Sequence, residues 1–78
     1  GIHVFMNNTV SEIQIRNTVQ SELLNVKLFN SIRQLQNSWN INLDNQNISL
    51  PINNKATGIY LVQINTTTGT ISKKVVIE

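Results

Sequence analysis

The feature that most limits what this chain can become is its period of two. Ile13 and Ile15 are interleaved with Glu12, Gln14 and Arg16. Leu35, Asn37, Trp39, Ile41 and Leu43 alternate with Gln36, Ser38, Asn40 and Asn42, all of them polar. Near the end, Ile71, Lys73, Val75 and Ile77 alternate with Ser72, Lys74 and Val76. Successive side chains of a pleated strand point to opposite faces, so such runs read as half-buried strands. No helical period is sustained for longer than a turn. The residue types agree: Ile, Val and Thr supply 25 of the 78 residues, whereas Ala occurs once. Branched side chains lose little on a pleated surface and more in a helix.

The same reading places seven strands about ten residues apart. Ile2, Val4 and Met6 share one face of the first, with His3 and Phe5 on the other. Asn7-Asn8-Thr9 is expected to turn the chain into a second strand, closing a hairpin. Beyond the polar stretch 17–22, a third strand is expected with Leu24, Val26 and Leu28 inward and Leu23, Asn25, Lys27 and Phe29 outward. Asn30-Ser31 begins a turn before the run from Leu35, and 44–47 forms another. Ile48, Leu50 and Ile52 make a short strand whose Pro51, lacking a donor, belongs at an edge or a strand end. The run 59–64 is apolar on both faces and reads as a central strand. It returns through 65–70, with Gly69 as the positive-φ residue, into the last strand. Short strands at regular spacing imply one all-β domain over 1–78, a sandwich or barrel of Greek-key type.

Amounts exclude more chemistry than they suggest. With no cysteine, a thiol nucleophile, a disulfide framework and a thiolate zinc site are all ruled out. The lone histidine, His3, lies next to a terminus, and Glu12, Glu22, Asp44 and Glu78 are scattered. No catalytic residue, metal ligand, cofactor site or small-molecule substrate is therefore expected. A net charge of +2 is too small to argue a nucleic-acid partner. The apolar runs are a few residues long, against ~20 for a helical membrane span. Three Asn-x-Ser/Thr sequons, at Asn7, Asn47 and Asn65, are expected by chance where Asn occurs 13 times. A chain that opens on Gly1 is expected to be a piece of something longer.

Gly58-Ile59-Tyr60-Leu61-Val62, a turn, and then Ser72-Lys73-Lys74-Val75-Val76-Ile77-Glu78 resemble the C-terminal sorting domain of type IX secretion cargo. Such domains end proteins that Gram-negative bacteria of the Bacteroidota group export across the outer membrane. Val26-Lys27-Leu28-Phe29-Asn30 is similar to the family's strand ending in an aromatic and Asn, and Ile48-Ser49-Leu50 to the strand before its Gly-x-Tyr loop. Arg33 stands where the family usually has Gly, Lys55 where Leu is common, and the Pro-Asn-Pro often found at the start is missing.

The resemblance implies a seven-stranded immunoglobulin-like β-sandwich without catalytic function. It implies an upstream passenger, transit of the periplasm, and delivery to the cell surface or secretion. The implied partners are the secretion translocon, an outer-membrane β-barrel shuttle protein and a sortase-like protease. The signal residues are expected to be Gly58, Tyr60, Lys73, Lys74, Val75, Val76, Ile77 and Glu78. Of these, Gly58 is expected to serve a positive-φ loop exit and Tyr60 a core ring with a bonded hydroxyl. The lysines have a plainer reading as edge charges that discourage strand pairing. Trp39 is expected in the core. A small adhesive or carbohydrate-binding sandwich is the alternative, opposed by the expectation that Phe5, Phe29, Trp39 and Tyr60 all fall in core strands.

Overall fold

A computed structural model describes residues 1–18, 22–41 and 47–78. Seven strands follow in order: β1 (Ile2–Asn7), β2 (Glu12–Asn17), β3 (Leu23–Phe29), β4 (Leu35–Asn40), β5 (Asn47–Pro51), β6 (Gly58–Thr66) and β7 (Gly69–Ile77). They form two antiparallel sheets, one in the order β1-β2-β5 and the other β4-β3-β6-β7. Three local hairpins (β1–β2, β3–β4, β6–β7) are joined by connections that cross between sheets, so neither sheet is a simple meander. The turn expected at 44–47 and the placement of Asn42 and Leu43 lie outside the described residues, apart from Asn47, which starts β5.

Alternation becomes a sandwich because each sheet turns one branched face inward. Ile2, Ile13, Ile15 and Leu50 come from the three-stranded sheet, and Ile52 from just past the end of β5. Leu23, Val26, Leu28, Tyr60, Val62, Ile64, Val75 and Ile77 meet them from the four-stranded one. Six of these side chains (Ile13, Ile15, Val26, Leu28, Val62 and Ile64) are completely enclosed. Each contributes about 1.5–3 kcal/mol of hydrophobic stabilisation. Pro51 closes the edge strand β5, and β6 lies between β3 and β7, as the sequence led one to expect.

Two registers depart from strict alternation. On β3, Leu23 faces Thr66 and Asn25 faces Asn65, so Leu24 has no partner on β6. This bulge reverses the parity of the strand's first residue. Leu23 rather than Leu24 is therefore buried, at 6% against 47% exposure, although the alternation pointed Leu24 inward. The bulged carbonyl is not wasted, because Leu24 O accepts a bond of 3.0 Å from Ile41 N. On β4, Phe29 faces Leu35 while Leu28 faces Asn37, leaving Gln36 as the extra residue. Leu35 is thereby turned outward, while Trp39 and Ile41 pack against the core. Asn37 keeps the inward parity, with its Oδ1 buried and unpartnered among the described residues.

The turns show which residues bear unusual torsions. In the first hairpin the turn runs on to Ser11, and the positive torsion, φ +54°, falls there and not on Asn7 or Asn8. Between β3 and β4, Asn30 organises the turn: its Oδ1 accepts from Ile32 N at 3.1 Å and Gln34 N at 2.9 Å, and its Nδ2 donates to Gln34 Oε1. Arg33 adopts φ +64° there, in the left-handed region where a Cβ is unfavourable. In the last hairpin only Thr67 and Thr68 lie between the strands, and the positive torsion falls on Gly69 at φ +147°.

Two measurements check these assignments. Leu23→Ala is expected to cost about 2–5 kcal/mol and Leu24→Ala less than about 1 kcal/mol by urea unfolding. The reverse order would remove the bulge. Arg33→Gly is expected to stabilise by about 0.5–1 kcal/mol, because relief of the left-handed torsion outweighs glycine's extra chain entropy. A lowered unfolding midpoint would show that the Arg33 side chain contributes more than its torsion costs.

Candidate functional site

The predicted signal residues converge on one piece of structure, the paired end of the β6–β7 hairpin. Gly58 faces Ile77, Ile59 faces Val76, Tyr60 faces Val75, Leu61 faces Lys74 and Val62 faces Lys73. Residue parity then divides them. Tyr60, Val75 and Ile77 are buried in the core between the sheets. Lys74 and Val76 stand on the outer face of the four-stranded sheet, and both are exposed. Lys73 shares the inward parity of Val75, yet it is exposed because β7 is the edge strand. Both lysines thus reach solvent by different routes, one over the sheet and one beside it. Glu78, just past the strand, is exposed as well.

The buried members hold the shape. Tyr60 Oη donates a 2.7 Å bond to Ala56 O, so the ring lies in the core while its hydroxyl ties down the loop before β6. Gly58 begins the strand at φ +158° with open space where a Cβ would stand. Its role is a torsion, not a close approach. Lys55, at the position where the resembled family commonly has Leu, is half-buried, which a long aliphatic stem tolerates.

One residue that matters here was invisible to sequence reasoning. Asn8, in the β1–β2 turn, donates from Nδ2 to Val76 O at 3.1 Å. Its Oδ1 accepts from Glu78 N at 3.0 Å. A carboxamide has the donor and acceptor of a peptide group, so Asn8 pairs with the edge of β7 as one residue of an added strand would. An edge strand presents open backbone groups; here Val76 O and, just past the strand, Glu78 N are already bonded. β1 also runs beside β7 where the two sheet edges meet. The contact joins residues 68 and 70 positions apart, among 13 asparagines, so no local pattern could single it out.

The outer face of the four-stranded sheet carries a second unexpected arrangement. Leu35, Phe29, Leu61 and Lys74 stand side by side across β4, β3, β6 and β7, and Ile59 and Val76 form the next row. Leu35, Ile59 and Val76 are each more than half exposed. A shallow groove there is lined by Asn30, Ser31, Arg33, Ile59, Tyr60, Leu61 and Lys74. The other half of the face is polar, with Asn65 Nδ2 bonded to Asn25 Oδ1 and Thr70 Oγ1 bonded to Asn65 Oδ1.

The aromatic residues correct one expectation. Only Tyr60 is buried; Trp39 is half-buried against the core. Phe29 lies on the outer face, and Phe5 is 55% exposed, its ring centroid 6.5 Å from that of His3 at 15° between planes. Strand parity is the reason: both phenylalanines stand opposite to the inward positions of their strands. Core placement of all four aromatics therefore no longer opposes a binding role.

Residues 3–78 match the secretion system C-terminal sorting domain family. No curated protein and no solved structure matches the chain.

Two substitutions test the geometry of the hairpin. Asn8→Ala is expected to cost about 1–2 kcal/mol, since two bonds to the terminal strand are lost. Faster hydrogen exchange at Glu78 N is the local readout, and unchanged exchange there would remove the Asn8 contact. Tyr60→Phe is expected to cost about 1 kcal/mol by leaving Ala56 O without its donor. An unfolding midpoint equal to the parent's would show that solvent replaces the hydroxyl without loss.

Proposed function

The chain belongs to the secretion system C-terminal sorting domain family, the sorting domains of type IX secretion cargo, and from that premise we propose how it acts. Cargo of this system is exported across the outer membrane, to the cell surface or into the medium. The family is one of signal domains and not of enzymes. In this reading residues 1–78 are a single folded address attached behind a passenger. It is read in the periplasm by the translocon, passed to an outer-membrane β-barrel shuttle protein and removed by a sortase-like protease. No substrate, cofactor or nucleic acid enters the mechanism.

The observation that carries this reading is the family match over nearly the whole chain, residues 3–78, together with what the terminal hairpin exposes. Recognition of a folded domain requires side chains held in fixed positions and open to solvent. Lys73, Lys74, Val76 and Glu78 meet that requirement. Tyr60, Val75 and Ile77 do not, being buried, and Gly58 has no side chain to offer. We assign the four exposed residues to contact with the export machinery and the other four to holding them in place. The lysines then serve twice, as a recognised pair and as charges that keep other strands off the edge of β7.

The division decides how the address should be tested. Removing residues 73–78 would delete Val75 and Ile77 from the core, so lost export would not separate recognition from folding. Point substitutions do. The chain is fused behind a reporter with an export leader, in a host with type IX secretion. Joint replacement Lys73→Ala and Lys74→Ala is expected to lower external reporter by about tenfold, the equivalent of ~1.4 kcal/mol of recognition, with the urea midpoint unchanged. Lys27→Ala on β3 serves as the control. A reporter that stays in the periplasm even with the unaltered domain, while a known sorting domain delivers it, would overturn the address itself.

A further inference from the structure

We propose that the apolar end of the outer face of the four-stranded sheet is a docking surface for an extended protein segment bearing both branched apolar and carboxylate side chains. This rests on the sorting reading above and names the chemistry of the partner that reads the hairpin. The surface is defined by register: Leu35, Phe29 and Leu61 stand in one row with Lys74, and Ile59 and Val76 stand in the next. Of the large apolar residues that this chain leaves more than half exposed, Leu35, Ile59 and Val76 fall within these two rows, and Ile32 is in the turn at their margin. Gathering so many into one area of an 8.8 kDa protein is costly unless something covers them.

Charge argues for the occupant. Arg33 and Lys74 both line the groove, and no acidic side chain does. Of the described acids, Glu12 belongs to the other sheet, and Glu22 and Glu78 do not line the groove. A second copy meeting groove to groove would gather the two cations of each chain in one area, with no carboxylate of either groove to offset them. A flat bilayer surface fits poorly, because the polar ladder of Asn25, Asn65 and Thr70 fills the neighbouring half of the face. An extended segment suits rows that lie two residues apart along each strand. Its side chains alternate, so residues two apart can place an aliphatic group over Ile59 and Leu61 and a carboxylate beside Lys74.

The surface also distinguishes Lys74 within the recognised pair. It stands on the outer face within the apolar row, where a partner that covers Leu61 partly desolvates it. A charge pair made there is stronger than one made in open water. Lys73, at the sheet margin, lacks that surrounding.

The test titrates the 78-residue chain with two synthetic peptides of extended type. In one, every second residue is Val, Ile or Glu and the others are Ser or Thr; in its twin, Lys replaces Glu. The acidic peptide is expected to bind at least about tenfold more tightly, with backbone amide shifts at Phe29, Leu35, Ile59, Leu61 and Val76. Lys74→Glu should reverse the preference, Ile59→Lys should abolish binding, and Phe5→Lys on the other sheet should leave it unchanged. Equal binding of both peptides, shifts confined to the three-stranded sheet, or self-association through these residues would overturn the proposal. So would binding of vesicles of anionic lipid through this face when neither peptide binds. The reporter assay separates the two readings. If the unaltered chain exports its passenger and Ile59→Lys exports equally well, the docking surface fails and the address stands. If the unaltered chain exports nothing, the address fails whatever the peptides do.

Discussion

Everything in this protein depends on the closure of two branched faces against each other. Ile13 and Ile15 from one sheet meet Val26, Leu28, Val62 and Ile64 from the other, all of them sealed from water. Domains of this size bury only about 60% of the surface their unfolded chains expose, so few interactions are redundant. With no cysteine to add a covalent constraint, packing and strand pairing must hold the two layers together. The terminal strand takes part in that closure through Val75 and Ile77. The same strand that offers Lys73, Lys74 and Val76 to solvent is therefore a structural member of the core. Its exposed face is rigid because its other face is buried.

That coupling suits an address better than a flexible tail would. Side chains fixed on a strand lose less freedom on being recognised than side chains on a mobile segment. The edge position of β7 would ordinarily invite unwanted strand pairing. Here the hazard is limited by the two lysines, by β1 running beside the edge, and by the carboxamide of Asn8 occupying Val76 O and Glu78 N. Asn8 also links the first hairpin to the end of the last strand, so the two most distant parts of the sequence support each other.

Substituted family positions can be read in the same physical terms. Arg33 stands at a left-handed torsion where the family pattern usually has Gly, and the turn survives because Asn30 makes three side-chain bonds across it. The strain is local and small against the sum of core burial. Arg33 in exchange places a second cation beside Lys74 along the outer groove. A residue that departs from the family pattern is thus a cation on the outer groove.

The seven strands, the edge placement of β5, the interior placement of β6 and the buried bonded Tyr60 were legible in the sequence, because period two, Pro51 and an aromatic opening an apolar run act locally. So was the terminal hairpin, since Gly58 and Gly69 mark where it begins and where it turns. The inward leucine of β3 was not. A single bulged residue reverses parity, and only the pairing with β6 reveals that Leu24 is the extra one. Leu35 went astray for the same reason, turned outward by the extra residue Gln36. The exposure of Phe5 could not be foreseen, because the number of layers over a face cannot be read from one strand. Nor could the sequence single out Asn8 or assemble the row from Leu35 to Lys74, which joins four strands. Local chemistry determined that the chain folds as short strands and not as helices. Tertiary structure alone decided which residues face water together, because exposure and register are properties of neighbours that are distant in sequence.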